Sequence, residues 1–171
     1  MDTTHPLYRR LLRAQIRYAA LMSILSLVAG LFYREFSRPF FRGLTLEDQL
    51  LYGHALELVH GHTFLLGVAI PATLALLTFL VVGQLAEKDL ARMQVRFRWY
   101  TISSAVALVL MLYKGIGFVV GAGQSLDVID ERLFFGSTML RATLFAASHM
   151  TLAWAFGEYA FRFFRATKQD R

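Results

Sequence analysis

The chain has 171 residues, 56% of them hydrophobic and only 18% charged, with a formal net charge of +6. A soluble domain of this length carries more charge, and the basic residues sit beside apolar segments instead of forming one stripe, which argues against nucleic-acid binding. With no cysteine, disulfides, iron–sulfur clusters and thiolate-ligated haem or zinc are excluded.

A bilayer's hydrocarbon core is about 30 Å thick, so a spanning helix needs roughly 20 apolar residues. Four segments approach or meet that length, and mean hydropathy is +0.47. The first predicted helix covers about 16–33 and is apolar between Arg17 and Arg34, both of which can snorkel. It has no cleavage pattern of small residues and is expected to be retained. The second covers about 46–83. Thr45, followed by Glu47 and Asp48, forms an N-cap signature, and Pro71 is expected to kink this helix. The third covers about 97–123, with Trp99 and Tyr100 at its interfacial start. The fourth covers about 137–164. The expected fold is all-α: one transmembrane domain over 1–171, built as an integral membrane four-helix bundle.

Charge sets the expected orientation. Arg9, Arg10, Arg13 and Arg17, then Lys88, Arg92, Arg96 and Arg98, then Arg162, Arg165, Lys168 and Arg171 all fall on one side. Only Arg34, Arg38, Arg42 and Arg132 fall on the other. Positive flanks stay inside, so the N-terminus and C-terminus are expected to be cytoplasmic, in a multi-pass protein of a bacterial inner membrane.

Polar groups in hydrocarbon are costly and are functional candidates by default. Here they are His60, His62, Lys114, Arg141, His149 and Glu158, with His54 and Glu57 at the boundary. His149 lies about 12 residues into the fourth helix, roughly 18 Å, near mid-membrane. Arg141 precedes it by two turns on nearly the same face. Imidazole is a common axial ligand to haem iron, and haem propionates need cations. The expected site is therefore a haem b ligated by His60 and His149, with Arg141 and Lys114 on the propionates. His62 is the alternative to His60. The two lie about 200° apart around a helix and cannot both serve one iron from one face. The expected role is electron transfer with a membrane redox partner, or haem sensing or handling. Gly117 and Gly121, four apart, form a helix-packing face.

Two other readings stand beside it. Glu57-Leu-Val-His60 has the Glu-x-x-His spacing of di-iron bundles, but no second such pair exists. A mononuclear zinc or iron site from Glu57 and His60 with His54 or His62 remains an alternative. The other is a non-catalytic membrane interaction subunit, with Arg34, Glu35 and the histidines in structural networks.

Gly30-Leu-Phe-Tyr-Arg-Glu-Phe-Ser37 followed by His60-Gly-His-Thr-Phe-Leu-Leu-Gly67 resembles an uncharacterised family of small bacterial four-helix membrane proteins. That family carries G-x-F-Y-R-E-F and H-T-H-L-L-x-L-G-like motifs in the same order. This chain differs in having Gly61 between its histidines. The resemblance implies four helices and no particular activity. Locally, His60-Gly61, an apolar run and then Pro71 is similar to the low-spin-haem helix of haem-copper oxidase subunit I. That likeness implies His60 as a haem ligand. Five histidines are too few for the oxygen-reducing centre.

Overall fold

The computed structural model describes residues 5–168, except for the side chain of residue 82. These residues form five helices: α1 (Pro6–Ser37), α2 (Leu46–Leu80), α3 (Glu87–Val120), α4 (Leu126–Arg132) and α5 (Thr138–Lys168). No strand occurs among them. The expected four helices thus become five, because the third loop folds its acidic segment into the short α4. Ser125 caps it, accepting from the Val128 N–H at 3.4 Å.

Helices α1, α2 and α3 are long and apolar enough to cross a membrane. Helix α5 is as long but does not meet that standard, since Thr143, Ser148, His149, Thr151, Gly157 and Glu158 dilute its apolar run. Along α1 the buried residues Tyr8, Leu11, Gln15, Ala19, Met22 and Ser26 recur every three or four positions. That is one helical stripe. The opposite face exposes Leu21, Ile24, Leu27 and Leu31, the surface that hydrocarbon would cover.

α1 starts at Pro6, earlier than the apolar run, because proline at the first helical turn needs no N–H partner. Gly43, with φ +84°, turns the chain back. Thr45 then caps α2 as expected, taking the Asp48 N–H at 3.2 Å. Pro71 is buried in α2, and just before it Leu65–Ala69 widens into a π-helical turn. Proline removes an N–H and crowds the carbonyl one turn back, and the wider turn relieves that crowding. The Leu66 carbonyl accepts from the Tyr100 hydroxyl of α3 at 2.5 Å, so the irregular backbone is satisfied from a neighbouring helix.

α3 is the central element, packing on α1, α2 and α5. Two apolar clusters stack along it. The proximal cluster, at the end with the chain termini, joins Tyr8, Leu11, Leu74, Met93, Tyr100 and Tyr159. The distal cluster joins Tyr52, Leu56, Phe118, Val119, Ile129 and Leu133. Gly115 lets α2 and α3 meet: a Cβ there would lie 2.8 Å from the Leu56 Cα. Gly121 receives Ile129 of the short helix α4, and Gly117 receives Leu133 just after it, so the pair packs against the distal segment. After α4, Phe134 and Phe135 adopt φ of 53° and 59°. Left-handed backbone costs about 1–2 kcal/mol per non-glycine residue, and burial of Phe134 between Tyr113 and Phe145 offsets part of it.

Candidate haem groove and its polar surroundings

The five expected site residues fall into three groups. His60 turns to α1. Its Nδ1 lies 2.7 Å from the Ser26 carbonyl oxygen, and Gly30 leaves the space for its ring, since a Cβ there would come within 3.2 Å. This histidine is an α1–α2 bridge.

His62 and His149 form the second group and share one local geometry. The His62 Nδ1 lies 2.9 Å from the Leu58 carbonyl oxygen, and the His149 Nδ1 lies 2.8 Å from that of Phe145. In both cases the acceptor is the carbonyl four residues back in the same helix. A carbonyl oxygen only accepts, so in the neutral ring Nδ1 carries the proton and Nε2 keeps its lone pair. Histidines that ligate metals are oriented by this kind of bond to the other nitrogen.

A groove of about 250 Å³ separates α2 from α5 below these residues, with Leu65, Ala69 and Leu77 on one wall and Phe156, Ala160 and Phe163 on the other. Toward the distal end, His62 precedes Leu65 by one turn, and His149 precedes Phe156 by two turns on the same face. The α2 and α5 helices are not close-packed; each packs extensively on α3. His62 is half-buried and His149 exposed. Neither this groove nor an apolar cleft of about 300 Å³ between α1, α2 and α3, lined by Met22, Ala29, Phe32, Val59 and Leu108 among others, is lined by any of the five residues.

Lys114 and Arg141 form the third group. Both are paired with Asp130 of α4, Lys114 at 3.8 Å and Arg141 in direct contact. One carboxylate thus serves two cations, leaving a formal excess of one positive charge. Asp130 is not among the candidates drawn from the sequence because it lies between the third and fourth predicted helices, outside their apolar runs. Two cations facing one short acidic loop were the signal available.

The metal alternative finds no cluster. No group of three or more His, Asp or Glu gathers among the described residues, and His54 and Glu57 are exposed. Glu158 belongs to a separate proximal network. It lies 3.4 Å from Arg96 and 3.1 Å from Arg162, and Arg162 also contacts Asp89. Arg96 lies 3.9 Å over the Trp154 ring. Deeper in the bundle, the fully buried Gln15 donates to Thr78 at 3.3 Å and to Tyr159 at 3.1 Å, linking α1, α2 and α5.

These features define an all-helical protein with three helices long and apolar enough to cross a membrane. The chain belongs to the DUF2871 family, described as protein of unknown function, whose model matches residues 12–157. No curated protein and no solved structure matches it.

Proposed function

We propose that the protein is a membrane-embedded b-type haem protein, with four spanning helices and both termini cytoplasmic, serving electron transfer or haem handling. The observation that carries this reading is the shared orientation of His62 and His149, each with Nδ1 tied to its own helix and Nε2 free. A bound haem would supply one-electron chemistry. The chain's own residues supply position, charge and a dry surround.

His62 on α2 and His149 on α5 would hold the haem, between two helices that do not pack closely on each other. His60 bonds a carbonyl through Nδ1 as the other two do, so its Nε2 is free as well; we take His62 as the partner of His149 because the His60 ring is turned to α1. Arg141 and Lys114, at the distal side of His149, are suited to propionates that would share or replace Asp130. The π turn immediately after His62 adds to the case, since such turns concentrate at functional sites.

The test is haem content. The full chain, expressed in cells supplied with a haem precursor and purified in mild detergent, is assayed for haem per chain as the pyridine complex. Near-stoichiometric haem is expected. Haem-free protein from haem-replete cells would overturn the reading.

A further inference from the structure

The distal end carries a second, unrelated feature. Between the end of α1 and the start of α2 lies an open cavity of about 510 Å³ with Arg34, Arg38 and Arg42 on its rim. That size falls within the roughly 300–1,000 Å³ of small-ligand sites. Its remaining lining is mixed, with Tyr33, Ser37 and Gln49 beside Leu46 and Leu50.

The three arginines are poorly neutralised. Arg34 lies 3.9 Å and Arg38 3.6 Å from the same carboxylate, Glu35, and all three of these side chains are largely exposed. Exposed pairs of this kind contribute little. Arg42 has no ion-pair partner among the described residues. Glu47 and Asp48 stand in the first turn of α2 but do not line the cavity, and Asp48 is engaged by Thr45 at 2.8 Å. The arginines also crowd one end of a helix whose other face is apolar down to the membrane zone.

We propose that this cavity binds the phosphodiester headgroup of an anionic phospholipid in the leaflet at the distal end. Guanidinium groups match phosphate oxygens in bidentate fashion. Leu46 and Leu50, both strongly exposed, would receive the first methylenes of the acyl chains, which a soluble phosphate lacks. The site lies between α1 and α2, away from the α2–α5 groove, and does not depend on haem.

Hydrogen–deuterium exchange of the full chain in neutral detergent tests it, with phosphatidylglycerol, phosphatidylcholine or inorganic phosphate added. Phosphatidylglycerol is expected to protect residues 33–50 at concentrations where phosphatidylcholine does not. In Arg34→Ala/Arg38→Ala/Arg42→Ala the half-protecting concentration should rise about a hundredfold, at roughly fivefold per arginine. Unchanged exchange in α3 and α5 shows that this variant folds. A second variant, Arg9→Ala/Arg13→Ala/Arg17→Ala at the other end, should leave the protection intact. Equal protection by the two lipids would overturn the proposal, and so would a triple variant that behaves like the wild type. Full protection by millimolar phosphate, with nothing added by lipid, would overturn the lipid assignment.

Discussion

His149 and Phe145 are joined twice: the imidazole Nδ1 lies 2.8 Å from the Phe145 carbonyl oxygen, and the two rings stack at 6.1 Å with 28° between their planes. The bond fixes the tautomer and the stack fixes the ring, so Nε2 is held in one direction without help from another helix. His62 repeats the bond to Leu58. Truncating either histidine should remove an axial ligand. We expect His62→Ala and His149→Ala each to lose the six-coordinate spectrum and to retain at least about tenfold less haem. His60→Ala should keep its haem and lose only the bond to Ser26, about 0.5–1.5 kcal/mol of stability. Absorption and thermal unfolding of the three purified variants separate these outcomes. A haem lost with His60 and kept without His62 would reverse the ligand assignment.

Asp130 holds Lys114 and Arg141 together at the distal end. Asp130→Asn leaves two partly buried cations facing each other. The expected cost is roughly 1–2 kcal/mol, between that of an exposed pair and a buried one. Thermal unfolding in detergent measures it, and restoration of stability by Asp130→Asn/Lys114→Met would show that cation repulsion was the cause.

At Gly115 the backbones of α2 and α3 come together. A methyl group there would meet the Leu56 Cα at 2.8 Å and its N at 2.9 Å, and backbone cannot step aside as a side-chain tip can. Gly115→Ala should cost about 1–3 kcal/mol. Gly61→Ala, with open space around its would-be Cβ, should be neutral or slightly stabilising through helix propensity. Melting temperatures of the pair provide the comparison.

Arg162 is buried at 7% exposure against Asp89 and Glu158. Arg162→Met strands Asp89, while Glu158 keeps Arg96. A loss of about 3 kcal/mol is expected. Adding Asp89→Leu should recover part of it, because the stranded carboxylate is then gone. Failure of the second change to recover anything would place the cost in lost packing of the arginine stem.

Helix positions were legible because apolar runs, a threonine cap and proline punctuation are local signals. Thr45 caps α2, and Pro71 perturbs it, as a reading of neighbouring residues requires. The extension of α1 back to Pro6 was less legible, since Arg9, Arg10, Arg13 and Arg17 mask a stripe whose buried members are Tyr8, Leu11 and Gln15. The direction of each histidine was not legible. His60 and His62 differ by two residues, and only the positions of Ser26 and Gly30 on another helix decide which one faces α1. Asp130 escaped for the same reason: its partners lie 16 and 11 residues away, on separate helices. The Gln15–Thr78–Tyr159 link spans most of the chain and leaves no local trace.

The most direct test of the central claim is an absorption spectrum of the detergent-purified protein, oxidised and then reduced with dithionite. A sharp Soret band with resolved α and β bands on reduction is the result expected of two axial imidazoles. A spectrum showing only the aromatic protein band, from cells supplied with haem, would contradict it.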